Sequence, residues 1–574
     1  MDNIPDVIAQ LNARIETLER RVFILEHSSE VPLPVPAPTE SSLEIHSPQD
    51  TEALSFANAG GIFPVLSKAV LGVAGAYLLR AVAESGALPK LAIVVLAITY
   101  AGMWLVWAVR VRTAEWLTGV TYAMTSALIL APMLWELTLR FKVLPPSVSA
   151  AVLAAFATAA LALTWKRNLA SVFWVTYSTA MFTALVLMIA TQDLVPFLWA
   201  ILLIVFASEF AAYRGHRLNA RILVAVVADI AVSSLIFIYT APEDARSGYN
   251  SVSMPVLLAL VSIPFLIYVV SVTIQTVLRH QRITTFEITQ IIIAFLLAIY
   301  GVMKLSPSDP RVAIGLFCLV LSGAGYAAAF ACFSDESVPR NFQVYTAWSA
   351  ALFLLGSFFC FPQMWLPLWF GIAAITATLI GAQRSRPALE LQGAIYLVAA
   401  AFVSGLLEFA CRSLIGSLPA TPTWIIGAIF ASAFLCYLLG GRFLKDQWTQ
   451  RLPHLTSATL TAGAGAALLV SMLARFSVRI NSLNTGPLEF IQTLTTCSVA
   501  LALAYVGSRW RRDELIWIAY ATLVFIAAKL LLEDLRHGHL VFIAASFFLY
   551  AATLILLPRL AGSGHTEQTS EVIN

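Results

Sequence analysis

The stretch RILVAVVADIAVSSLIFIYT, residues 221–240, carries one arginine, one aspartate and otherwise little that water would welcome. As an α-helix it rises about 1.5 Å per residue and so crosses roughly 30 Å, the thickness of a bilayer's hydrocarbon core. Runs of this kind recur almost without pause from about residue 62 to residue 558. Their number is the strongest constraint on the fold. Backbone polar groups in hydrocarbon must be satisfied within each segment, which leaves helices or closed barrels, and a barrel would read as short alternating strands. The sequence therefore predicts an all-α, polytopic transmembrane bundle of about eighteen helices by the twenty-residue criterion. Composition agrees, with 59% hydrophobic and 12% charged residues in 574 and a mean hydropathy of +0.82.

The domain reading has four parts: a coiled coil over 1–27, a linker over 28–56, the membrane domain over 57–560 and a polar tail over 561–574. In the first, Ile8, Leu11, Ile15, Leu18, Val22 and Leu25 step by threes and fours. Ile or Val at every a position and Leu at every d favours a parallel two-stranded coiled coil, and Arg14 and Arg21 at g oppose Glu19 and Glu26 at e of a second copy. A parallel homodimer through residues 5–27 is the expectation; an amphipathic helix docked on a membrane or partner is the alternative. The linker contains VPLPVPAPTESS, whose alternating prolines favour an extended, semi-rigid spacer.

Lysine and arginine in the loops set the orientation. One side gathers Arg110, Arg112, Lys166, Arg167, Arg214, Arg217, Arg221 and so on to Arg559, about nineteen basic residues against about ten opposite. The positive-inside rule then puts both termini in the cytoplasm. The net charge of +3 does not suggest a nucleic-acid partner. The six cysteines show no CxxC or Cys/His spacing, so neither a disulfide framework nor a metal centre is expected. The chain has no GxxxxGK[ST] loop and no HExxH pair, and no cofactor is implied. GAGYAA (323–328) and GAGA (463–466) sit in apolar runs, where glycine permits close helix packing.

Function must therefore be sought among ionisable residues inside the membrane, which are costly enough to need a reason. Arg80 with Glu84, Glu136 with Arg140 and Glu408 with Arg412 are i,i+4 pairs at outer helix ends and read as interfacial support. Lys68 can snorkel to the cytoplasmic face. Asp229 cannot: it lies eight residues, roughly 12 Å, past Arg221 on a short side chain. Ser233 shares its face, and Glu209 in the preceding helix sits at comparable depth, so two acids facing each other would suit a proton relay. The stretch AAKLLLEDLRHGH (527–539) holds the other candidates. Lys529 comes deep in its helix and needs an acid, with Glu533 at i+4 first and Asp229 second; Asp534 falls near the outer boundary, and His537 and His539 make a weak metal signal on their own.

The two ends of the membrane region are similar to a family of predicted bacterial multi-pass membrane proteins, the domain-of-unknown-function family 2339. The resemblance rests on LGVAGAYLLRAVAESGALP (71–89), on Lys529, on Asp534–Leu535 and on Ser546–Phe547, together with the coiled coil and proline-rich linker. It implies a bacterial inner membrane and brings no assigned activity. Where the family carries an arginine shortly before the serine, this chain has Ile543, so Asp534 must find another partner, with Arg536 as one choice. Three functions are compatible with these readings: a transporter or flippase for an envelope-related solute or lipid, a dimeric scaffold for envelope machinery, or an intramembrane transferase on a lipid-linked substrate. The last would need acids on a sizeable outer loop, and APEDARSGYN (241–250) is the only acidic one.

Overall fold

The structure, a computed structural model, describes residues 67–562 apart from 79, 83, 86–88, 112–115, 166–169, 216–219, 334–338, 385, 416–420, 441–447, 481–485, 511 and 536–539. The coiled coil over 1–27, the linker, Arg536, His537, His539 and the tail beyond 562 lie outside the described residues. Every regular element among the described residues is helical.

Helical residues between 67 and 85 lead into α1 (Lys90–Arg110), α2 (Trp116–Trp135), α3 (Pro146–Trp165), α4 (Ala170–Ala190) and α5 (Leu194–Tyr213). Next come α6 (Arg221–Thr240), α7 (Met254–Thr273), α8 (Thr285–Leu305), α9 (Arg311–Cys332), α10 (Pro339–Cys360) and α11 (Leu366–Arg384). The chain finishes with α12 (Pro387–Val403), α13 (Leu406–Leu414), α14 (Trp424–Gly440), α15 (Trp448–Ile480), α16 (Gly486–Trp510), α17 (Asp513–Lys529) and α18 (Leu540–Gly562). Fifteen of the described helices are long and apolar enough to cross a membrane, and sixteen if one bent pair counts as a span. The expected count of about eighteen is approached by adding α14, which is apolar but shorter, and the helical residues described between 67 and 85.

The outward surface is apolar in the way lipid requires. Phe237 is 76% exposed, Leu532 77% and Val320 72%. A water-soluble monomer rarely tolerates contiguous patches of that kind. The protein is accordingly a multi-pass membrane protein.

Two departures from ideal helix geometry redirect the chain and its side chains. The run expected as one span over 391–411 is broken: α12 and α13 meet at 66°. The break falls at Gly405, whose φ of 72° lies in the left-handed region that a Cβ makes costly. Three helices also end in π-helical turns: Glu136–Arg140 after α2, Ile274–Leu278 after α7 and Leu530–Asp534 after α17. A π-turn takes one residue more per loop of backbone, so it changes which side chains share a face.

The interior is uneven. One continuous core runs through α1 to α10, from Val94 to Leu352, with Tyr177, Phe173 and Phe197 among its fully buried members. Beyond α10 the packing divides into smaller clusters, one around Leu366, Phe370 and Ala400 and another around Cys497, Ala519 and Ile526.

Candidate functional site

The polar groups that sequence singled out fall in two places, and the structure treats them differently. The first is the α5–α8 region. Arg221 opens α6, and Glu209 lies one turn before the end of α5, so the short connection brings them together. Arg221 Nε donates to Glu209 Oε1 at 3.0 Å and Nη2 to Oε2 at 2.7 Å, a bidentate pair. Both side chains are buried, at 9% and 5% exposure. Ser271 on α7 donates to Glu209 Oε2 at 2.6 Å and accepts from Gln275 Nε2 at 3.0 Å. Arg221 Nη1 also lies 3.7 Å from Glu287 Oε1 on α8. Glu287 in turn caps its own helix: its Oε2 accepts from Thr284 N–H at 2.9 Å while Thr284 Oγ1 accepts from Glu287 N–H at 3.3 Å, a reciprocal capping box. The guanidinium therefore joins α6 to the ends of α5 and α8 and faces two carboxylates, and Glu209 ties in α7 through Ser271.

Glu209 is thus engaged by Arg221, and the two acids expected to face each other across the α5–α6 hairpin do not pair. Asp229 takes a different neighbour, Gln290 on α8, whose Nε2 donates to both carboxylate oxygens at 3.1 Å. Ser233 shares the face as expected, but its hydroxyl donates to the Asp229 backbone carbonyl at 2.7 Å and not to the carboxylate. Tyr268 on α7, 4% exposed, is buried close to Gln290, between the Glu209–Arg221 pair and Asp229. Polar groups therefore run as a file from the Arg221 end of the bundle inward to Asp229.

Asp229 is distinctive within that file. No lysine or arginine among the described residues stands within salt-bridge distance of it. It is only half-buried, at the edge of the outward stripe of α6 made by Ile222, Val226, Ile230, Ser233 and Phe237. An ionised aspartate at this depth is unfavourable by roughly 2.5–3.5 kcal/mol on insertion scales. Two cavities among the described residues lie elsewhere, one between α11, α12, α14 and α15, and the other near α13 and α15–α17.

The second place is the end of α17. Lys529 Nζ meets Asp534 Oδ1 at 2.9 Å, with side-chain exposures of 1% and 2%. The partner is neither Glu533 nor Asp229. The reason is the π-turn Leu530–Asp534: its wider loop carries residue i+5, not i+4, onto the lysine's face. Thr493 on α16 donates to Asp534 Oδ2 at 3.3 Å. This pair is neutral, closed and tied to a neighbouring helix. Ser546 on α18 is also buried, at 1% exposure, while Phe547 beside it is exposed.

Elsewhere, Arg80 and Glu84 pair as expected at 3.4 Å, but Glu136 and Arg140, which bound a π-turn, pair with them and not with each other: Arg80 reaches Glu136 at 3.0 Å and Arg140 reaches Glu84 at 3.2 Å. Glu408 and Arg412 pair as expected, at 2.6 Å and largely exposed.

Sequence reasoning passed over Gln290, Tyr268 and Glu287. The Thr284-x-x-Glu287 spacing was an available signal for the last. Nothing in a single sequence marks one buried glutamine or tyrosine as the partner of a distant aspartate. Searches of family models, curated proteins and solved structures find no match for this chain.

Proposed function

We propose that this membrane protein translocates an amphipathic, lipid-like solute, with Asp229 as the group that receives the substrate's polar or cationic part. One observation carries the reading: Asp229 is a mid-depth carboxylate served by a single amide and left at the margin of a lipid-facing helix surface. Ionisable residues in that position mark substrate or ion paths more often than scaffolding. Its lateral placement favours a substrate that arrives through the bilayer over one that enters from water. Glu209 and Arg221 then hold the helix ends that frame the site, and Lys529, Glu533 and Asp534 belong to the frame and not to the path.

The test is translocation of fluorescent phospholipid in vesicles reconstituted with the full chain. Wild type should move lipid above the protein-free rate, and Asp229→Asn should lose at least tenfold while retaining its thermal stability. Equal rates for the two proteins would sink the assignment.

A second reading is a dimeric scaffold joined by residues 5–27. The close buried pairing of Arg221 with Glu209 and of Lys529 with Asp534 favours it, since buried pairs of that kind serve packing and specificity well enough without transport. Under it, removing residues 1–27 would abolish the dimer in crosslinking, and Asp229→Asn would change nothing.

A further inference from the structure

Between α11, α12, α14 and α15 lie two ionisable groups that neither site uses. His454, in the second turn of α15, is 4% exposed and Glu390, in the first turn of α12, is 8% exposed. Their closest approach, His454 Nε2 to Glu390 Oε2, is 3.9 Å. That is too long for a hydrogen bond and about right for two groups that share an intermediary. A cavity of about 10 Å³ sits there, lined by Thr378, Glu390, Cys436, Pro453, His454 and Ser457. One water needs a space of about that size and two to four polar partners. The walls also make allowance for these two side chains in particular. A Cβ at Gly440 would stand 2.5 Å from His454 Cε1, and one at Gly381 would stand 2.8 Å from Glu390 Cγ. Glycine on α14 thus leaves space for the imidazole, and glycine on α11 for the carboxylate.

We infer that His454 and Glu390 form a water-bridged proton-binding site, a second acid–base centre in the half of the bundle beyond α10. The water would donate to one partner and accept from or donate to the other. The pair would take up one proton as a unit, because interacting groups at this separation titrate together. The other groups facing the pair are few. Arg512, at the start of α17, acts on His454 through its charge, the Cys436 thiol and Ser457 hydroxyl close the cavity, and Ser457 Oγ is already committed to the Pro453 carbonyl at 3.0 Å. The site stands independently of whether Asp229 handles substrate.

The experiment is infrared pH-difference spectroscopy on the full chain in lipid nanodiscs, in an Asp229→Asn background that removes that carboxyl's signal. A carboxyl band that disappears in Glu390→Gln and shifts in His454→Asn, with a water O–H band that moves on exchange into H₂¹⁸O, is the expected result. A carboxyl spectrum unchanged by Glu390→Gln, or titrating identically in His454→Asn, overturns it. Should either variant fail to fold, a high-resolution map of the wild type decides: ordered density bridging His454 Nε2 and Glu390 supports the site, and a dry cavity or a direct contact overturns it.

Discussion

Asp229 on α6 and Asp534 at the end of α17 are the same side chain placed in the same kind of apolar helix, yet the bundle treats them as opposites. Asp534 is sealed, and it is matched by Lys529 at 2.9 Å and steadied by Thr493. Asp229 is half-open and, among the described residues, receives only Gln290 and has no cation within salt-bridge distance. A buried charge with a full complement of partners contributes to the architecture and little else. A charge left short of partners carries an energetic cost that packing alone does not explain. The difference teaches that depth in the membrane does not separate structural from working residues, whereas completeness of compensation does.

Substitutions can press on that contrast. The largest effect is expected at Arg221, which answers two carboxylates at once. Arg221→Met should cost about 3–5 kcal/mol, the range for breaking a buried pair, and adding Glu209→Gln and Glu287→Gln should recover much of it in thermal unfolding in detergent. Asp534→Ala comes next, at about 3 kcal/mol, because Lys529 loses its one buried carboxylate. The double variant Lys529→Met/Asp534→Leu should return near wild-type stability, since an apolar pair of similar volume often replaces a buried ion pair at little cost. Should the double variant prove as unstable as the single, the pair would be doing more than neutralising itself.

Asp229→Asn belongs lower on the scale of stability, within about 1 kcal/mol, because the amide can still accept from Gln290 and no charge is orphaned. A large loss of stability there would place Asp229 in the same class as Asp534 and erase the distinction. Smallest of all is Arg412→Ala. Its partner Glu408 is exposed with it, and the change should stay within about 0.5 kcal/mol. That value is the baseline against which the buried sites are read.

Much of the fold was legible in advance. Span positions for α4 to α9 come directly from apolar run length, because in lipid each segment must satisfy its own backbone. The bent pair was not legible: Gly405 sits within a run that reads as continuous, and only the left-handed φ shows that the chain turns there. Of the site, Asp229 and Lys529 stood out because each is an isolated charge in an apolar run. Their partners did not. Gln290 is uncharged and sixty-one residues away from Asp229, and Asp534 is reached only through a π-turn that no residue pattern announces. The pair His454 and Glu390 went unremarked because each lies near a helix end, where a polar residue raises no question.

Apolar run length and the distribution of lysine and arginine by themselves determined a many-helix membrane protein and the set of charges that must be accounted for, since both reflect the cost of moving polar groups into hydrocarbon, a property of residues taken one at a time. Which acid meets which base was decided only in the tertiary structure. Pairing depends on the rotation of each helix about its axis and on which neighbour lies alongside, and both are set by packing across the whole bundle, beyond the reach of local sequence.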